Sequence, residues 1–345
     1  MNISQAEARA EWNQFVRQHC PPVGAFMQTW EWGTFQQSLG RKIDRYFLKD
    51  GNKQLAAFTL VHHSLPFGFS YGYIPRGPII AAHAAGEDKL PEILNFIRTW
   101  AVRNFSRLIF LRLEPPLSSL AAVAQGRGFH FPSYYIQPRH NVIVSLDKEG
   151  DEIVKSFHPS TRSNIRRAEN RGVTVEVKSR MTAADYRHFF VMEKETIQRN
   201  RGKNAYPSRN YFDALLRTIP PFSETRDPNS LSLGIFYGYQ HNRPAAAHFV
   251  LFFCGTATYL YGASYSQHLN SKVTTYLHWI AMREAKQRGL RYYDLGGIDD
   301  ARWPTLTNFK RQFRGQELTY IGNIDIPIRP VSYRIYNLLR RFRNT

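Results

Sequence analysis

The order strand, strand, strand, helix, strand occurs twice in this chain, and that repetition limits the fold more than any other feature. In the first pass, IDRYFLKDGNKQLAAFTLVHHSL alternates as two strands around Lys49-Asp50-Gly51-Asn52, a hairpin turn signal. FSYGYIPRGPII supplies another strand. LPEILNFIRTWAVRNF is a helix with Leu90, Ile93, Leu94, Ile97 and Ala101 on one face, because three- and four-residue spacing returns to the same side of a 3.6-residue turn. RLIFLRLEP closes the pass at Pro115-Pro116. The second pass reads LSLGIFYGYQHNRPAAAHFVLFF, with a polar turn from Gln240 to Arg243, then TATYLYGAS. The helix VTTYLHWIAMREAKQRG follows, with Val273, Tyr276, Leu277, Ile280, Ala281 and Ala285 on one face and Gly289 at its stop; LRYYDLGG closes the pass. Such repetition predicts a duplicated α/β unit with mixed sheets covered by helices. QPRHNVIVSL links the copies, so the expected domains are 1–145 and 146–322, with 323–345 packing back on the first.

Three segments lie outside the repeat. KSFHPSTRSNIRRAENRG carries Lys155, Arg162, Arg166, Arg167 and Arg171, and within it Ser160 is the expected cap of a helix ended by Gly172. It reads either as a solvated face or as an anion-binding surface. EKETIQRNRGKNAYPSRNY, from Glu193 to Tyr211 and including Lys203, is basic, poor in apolar residues and expected to be a surface loop. The tail VSYRIYNLLRRFRNT sets Ile335, Leu338, Leu339 and Phe342 against Arg334, Arg340, Arg341 and Arg343. It reads as a helix docked on the first domain or as one in contact with anionic lipid.

A formal charge of +19 points to a polyanionic partner such as RNA, an anionic membrane or a phosphorylated substrate. The two cysteines, Cys20 and Cys254, lack CxxC spacing, which argues against a disulfide framework and a zinc site and fits a reducing compartment. The N-terminus reads as an amphipathic helix rather than a secretory signal, and no run of 18 apolar residues occurs.

Chemistry concentrates in Tyr293 to Phe313, YDLGGIDDARWPTLTNFKRQF. The pattern is a strand ending in Asp294, a tight exit at Gly296-Gly297 and re-entry at Phe309-Lys310. HExxH, Cys/His clusters, GxSxG, Walker A and dinucleotide fingerprints are all absent, so no metal and no cofactor is expected. His62 and His63 fall on opposite faces of a strand, and His248 reads as a satisfied strand histidine. Aromatic strand ends (Tyr259, Tyr261, Tyr293), one prominent lysine and abundant cations suit transfer between two bound substrates, with positive charge stabilising an oxyanion.

HPSTRSNIRRAENRGV, the YLYGAS and YYDLGGID strands in fixed order, and NFKRQF followed by YIGNIDIPI resemble the FemABX family. These are non-ribosomal peptidyltransferases that build peptidoglycan interpeptide bridges from aminoacyl-tRNA. The likeness runs from Phe26 to Ile328, with TWEW, PRGP and LRLEP matching more loosely. It implies two tandem N-acetyltransferase-like (GNAT) domains. The implied activity is transfer of an amino acid from aminoacyl-tRNA to the stem-peptide amine of lipid II or UDP-MurNAc-pentapeptide. By the same resemblance Lys310 and Phe309 are the catalytic pair, and Tyr261 and Tyr211 hold the muramyl-peptide precursor. Glu114 matches an acidic candidate position, and Asp294 is a second candidate or a structural acid.

Two positions depart from the pattern. The family's lysine after the N-terminal tryptophan is replaced by Gly33-Thr34 following Trp32, and Arg209 stands in for an arginine expected near the YF pair. Trp32 and Arg209 are kept as substrate-binding candidates; Arg162, Arg166, Arg167 and Lys203 are the candidates for tRNA or phosphate. The expected protein is a cytoplasmic monomer with peripheral contact at the inner face of the membrane. Two alternatives stand beside this reading: an acyl-CoA-dependent N-acyltransferase on the same fold, and a non-catalytic RNA- or membrane-binding protein. The turn SQHLNSKVTTY lacks the acyl-CoA pyrophosphate loop pattern.

Overall fold

A computed structural model describes residues 1–84, 89–118, 128–200, 206–225 and 227–343, with side chains of the last helix as far as Arg340. In chain order its elements begin with β1 (Asn2–Gln5), α1 (Arg9–His19), α2 (Trp30–Ser38), β2 (Lys42–Asp50), β3 (Lys53–Ser64), β4 (Ser70–Ile74), β5 (Ile79–Ile80), α3 (Lys89–Asn104) and β6 (Leu108–Leu113). The middle of the chain forms β7 (His140–Ser145), α4 (Gly150–Ser156), α5 (Pro159–Asn170), β8 (Val173–Lys178), α6 (Ala183–Arg199), α7 (Arg209–Thr218), β9 (Ser232–Gln240), β10 (Arg243–Phe253) and β11 (Thr256–Ser264). The remainder forms α8 (Val273–Gln287), β12 (Tyr292–Ile298), α9 (Pro304–Arg311), β13 (Gln316–Thr319), β14 (Ile324–Pro327) and α10 (Pro330–Arg343). No helix among the described residues is long and apolar enough to cross a membrane.

The chain divides into two compact units, residues 1–139 with 319–345, and residues 140–318. The first carries a sheet in the order β1-β2-β3-β4-β6-β14, with β5 on β3. Its pairs are antiparallel except β4 with β6, which run parallel. Helix α3 buries Leu90, Ile93, Leu94, Ile97 and Ala101, the five residues its spacing selects; burying each larger side chain contributes about 1.5–3 kcal/mol. FSYGYIPRGPII is two strands rather than one, because a turn with a cis Gly77-Pro78 bond separates β4 from β5.

The second unit orders its sheet β13-β7-β12-β11-β10-β9-β8, with β11 and β12 the parallel pair. Both units therefore place their parallel pair between an antiparallel meander and a further antiparallel strand, β14 in the first and β7 in the second. The hairpin joining β9 to β10 turns at His241 and Asn242, both with positive φ, the conformation that matches the twist of paired strands. Helix α8 buries more than one stripe. His278, Trp279 and Met282 join the expected face in the core, since the helix packs on β9, β10 and β11 and also against α5.

Two local expectations are corrected. Helix α5 is capped by His158, whose side chain accepts from the Ser160 amide, and Pro159 takes the first helical position; Ser160 lies inside the helix. Residues 193–199 and 209–211 are helical rather than loop, in α6 and α7, because Phe189 and Met192 of α6 and Phe212 of α7 are anchored in the core. Helix α10 docks on β6 through Tyr333, which packs on Phe110 and donates to Asp325 at 2.9 Å, and through Tyr336 on Phe110. Ile335, Leu338 and Leu339 of the tail face outward.

Candidate functional site

The second unit opens where its two parallel strands part. β11 and β12 share register only from Thr256 opposite Tyr292 to Thr258 opposite Asp294. Beyond that point β11 continues along β10 to Ser264, while β12 continues along β7 through Gly297 and Ile298. Among the described residues the first unit shows no such opening: β4 and β6 stay paired to Ile74 opposite Leu113, and the Glu114 amide still donates to the Ile74 carbonyl at 3.2 Å.

Asp294 and Gly296 produce the divergence. Gly296 has φ +81°, a conformation costly for residues with a Cβ. Asp294 is buried; its Oδ1 accepts the Gly296 amide at 2.7 Å, and Asn141 Nδ2 donates to both carboxylate oxygens at 3.2 and 3.3 Å. The carboxylate thus fastens the exit turn to the neighbouring strand β7.

Lys310 fills the opening. It projects from α9, whose position is set by a clamp: Thr307 Oγ1 donates to the Asp299 carbonyl and accepts the Asp299 amide, both at 3.0 Å. Lys310 is 4% exposed, and its Nζ donates to the Gly297 carbonyl at 2.7 Å. A Cβ on Gly296 would lie 3.4 Å from both that Nζ and the Tyr259 carbonyl, so the exit turn, the amine and β11 are in van der Waals range of one another. Burial pushes the Lys310 pKa down to about 8, opposed by the charge of Asp294. Phe309 packs on His278 and Phe313, with ring centroids 5.7 and 5.5 Å away.

Two buried histidines stand beside this pair. The rings of His248, His278 and Tyr259 are mutually 4.4–4.8 Å apart, and His278 Nδ1 is 3.0 Å from the Tyr293 hydroxyl. Burial lowers both imidazoles, His248 to about 3 and His278 well below its ordinary value, so both are neutral at physiological pH. His248 is a strand histidine as expected, but it is not satisfied: its Nδ1 has no hydrogen-bond partner among the described residues. Its strand is apolar and buried on both faces, so only packing decides that it shares the core with Ala246 and Val250. His278 lies outside the apolar stripe of α8, so spacing alone does not point to it.

Tyr259 and Tyr261 face opposite sides of the sheet. A β-bulge shifts the register between Val250 opposite Tyr259 and Phe249 opposite Tyr261, so two-residue alternation fails. Val250 and Tyr259 pack in the core under α8, whereas Phe249 and Tyr261 pack on Phe212 of α7. There Tyr261 donates to the Tyr211 hydroxyl at 3.2 Å. Tyr206, which no motif in the sequence singles out, donates to the Gly262 carbonyl and lies 6.3 Å from the Tyr261 ring. Tyr293 is fully buried in the core rather than lining a strand end.

The remaining candidates are dispersed. Arg209 is exposed at the start of α7, its guanidinium 4.9 Å from the Phe190 ring. Trp32 and Glu114 belong to the first unit. Trp32 is buried against Phe26 and Phe35. Glu114 is buried, accepts from the Tyr73 hydroxyl at 2.5 Å and the Gln137 amide at 2.9 Å, and is raised by burial. Lys203 lies outside the described residues. Among the described residues no group of three or more His, Cys, Asp or Glu is arranged to hold a metal ion.

The HPSTR segment braces the lysine helix. The His158 amide donates to the Gln312 carbonyl at 2.9 Å, and Thr161 Oγ1 donates to the same oxygen at 3.0 Å; Gln312 is the C-cap of α9. Arg162 donates to the carbonyls of Lys155 and Phe157 at 3.0 and 2.8 Å, where α4 ends and its carbonyls lack helical partners. Arg166 and Arg167 are exposed.

The chain and its fold have counterparts among known proteins. A model of the FemAB family matches residues 8–129, 115–221 and 235–341. A lipid II:glycine glycyltransferase of Staphylococcus aureus (strain COL) is 30% identical over 179 residues, 49% of this chain and 42% of that protein. The chain thus aligns with less than half the length of the curated relatives it matches. Among solved structures, FemX superposes with TM-score 0.79 over 97% of this chain and 99% of that one at 19% identity. A tandem GNAT protein from the clavulanic acid biosynthesis pathway gives 0.55 over 95% and 98% at 12% identity. The fold is that of FemX and of tandem GNAT proteins.

Proposed function

Because the chain belongs to the FemAB family, we propose that it transfers an aminoacyl group from aminoacyl-tRNA to the stem-peptide amine of a peptidoglycan precursor. The observation that carries this reading is the buried Lys310 ammonium, held at the divergence of β11 and β12 by Gly297. The nucleophile is the deprotonated acceptor amine and the electrophile is the ester carbonyl at the tRNA 3′ end. A C–N bond forms, the C–O bond to ribose breaks, and the amine proton leaves to the departing ribose oxygen or a substrate phosphate. Lys310 stabilises the negative charge on the carbonyl or ribose oxygen, and burial strengthens that interaction.

Neither carboxylate candidate serves as base in this scheme. Asp294 is committed to the exit turn, and Glu114 to Tyr73 and Gln137. Tyr211 and Tyr261 are the acceptor-binding candidates, and Arg166 and Arg167 the candidates for tRNA phosphates. The named function of the Staphylococcus aureus relatives supports lipid II as the acceptor.

The test is incubation with charged tRNA and either lipid II or UDP-MurNAc-pentapeptide, followed by the mass of the peptide stem. The stem should gain one aminoacyl residue. Lys310→Ala should cost about 10²–10³ in kcat with the fold retained. Near-normal transfer by Lys310→Ala removes the assignment, and product formed only with acyl-CoA replaces the donor.

A further inference from the structure

Helix α10 has two apolar faces, and the first unit covers only one of them. Tyr333 and Tyr336 pack inward on Phe110. On the opposite side Val331, Ile335, Leu338 and Leu339 are 71, 54, 55 and 61% exposed; their spacing forms one continuous stripe. Arg334 is exposed along the edge of that stripe, and a groove of about 470 Å³ opens beside it, lined by His130, Tyr333, Arg334, Asn337 and Leu338.

A second exposed apolar group is tied to the same place. Phe67, in the turn Pro66–Gly68 between β3 and β4, is 92% exposed and held at φ +60°. Its neighbours Leu65 and Phe69 pack into the cluster that holds Tyr333 and Tyr336, and the Leu65 amide donates to the Phe69 carbonyl at 2.8 Å. The tip is therefore fastened at its base while its ring projects into solvent. The Arg107 guanidinium lies against Gly68 beside it.

We propose that this surface docks on an anionic lipid bilayer, with Phe67 and the α10 stripe entering the interface and Arg107 and Arg334 meeting lipid phosphates. Exposed aromatic and aliphatic groups bordered by arginine complement such a surface, and a chain of net charge +19 is drawn toward it. The proposal deepens the functional reading, on which it rests for a lipid-linked acceptor: docking confines the enzyme to the plane that holds its substrate.

The full-length chain should co-sediment with phosphatidylglycerol-containing vesicles and much less with pure phosphatidylcholine, and salt should weaken the binding. Phe67→Ser and the double variant Ile335→Ser/Leu339→Ser should each reduce partition by roughly tenfold or more. Both should keep the wild-type melting temperature and transfer to lipid II in detergent. Absent or lipid-independent vesicle binding, or variants that bind as wild type does, overturns the proposal. So does a wild-type dimer that these substitutions convert to monomer, since a second copy would then cover the face. Vesicle binding without transfer to any acceptor removes the functional reading and leaves the surface; transfer in detergent without vesicle binding does the reverse.

Discussion

Lys310 Nζ donates to the Gly297 carbonyl at 2.7 Å, so the ammonium is anchored to the strand exit whose divergence admits it. The contact fixes one of its three donors and leaves two to orient toward a reacting oxygen.

The acidity of that ammonium sets a pH dependence. Its pKa is lowered from the ordinary 10.5 to about 8 by burial, while Asp294 acts in the opposite direction. The proton-bearing form stabilises the oxyanion, so kcat should fall as pH rises through about 8. Asp294→Asn should move this inflection to lower pH by removing the charge that supports the ammonium. Stability has the opposite sign: the unfolded chain keeps the proton up to about 10.5, so folding becomes more favourable between pH 8 and 10.5. Lys310→Met should lack that gain. Rate profiles and denaturant titrations across pH 7–10 read both effects; an unchanged inflection in Asp294→Asn would contradict the coupling.

Gly296 is required by conformation. Its φ is +81°, so Gly296→Ala should cost about 1–2 kcal/mol of stability. It should also lower kcat by shifting the Gly297 carbonyl that anchors the amine. Urea unfolding and single-turnover transfer measure the two, and a variant unaffected in both would refute the role.

The arginines of α5 should separate. Arg162→Ala removes donors from the carbonyls at the end of α4 and should lower stability by about 1 kcal/mol. Arg166→Ala/Arg167→Ala should leave the melting temperature unchanged and flatten the dependence of tRNA affinity on salt, since each phosphate contact contributes to that slope. An unaltered slope would make these residues a solvated face.

Glu114 should behave as scaffold. Glu114→Ala strands the Tyr73 hydroxyl and the Gln137 amide, at a cost of about 1–3 kcal/mol for buried groups left unpaired. Glu114→Gln retains an acceptor and should keep kcat within a few-fold of wild type. A large loss of kcat in Glu114→Gln with normal stability would restore it as an acid-base candidate.

Periodicity and turn chemistry act at short range, so the repeat, the inward face of α3 and the segment bearing Lys310 are all legible in the residues themselves. The family resemblance is legible in the same way, and the FemAB match over most of the chain bears it out. Features that depend on partners distant in sequence were settled by packing. The bulge opposite Phe249 and Val250 turns Tyr261 away from Tyr259, and packing on two sides draws His278 into the core. The stripe on α10 is legible as amphipathic, but only the docking of Tyr333 and Tyr336 reveals which face remains outside. Most of all, the pairing that ends at Thr258 and Asp294 opens the second unit, while the first stays closed through Ile74 and Glu114. Two copies of one pattern thus differ in strand register, and register is a property of paired strands rather than of either sequence alone.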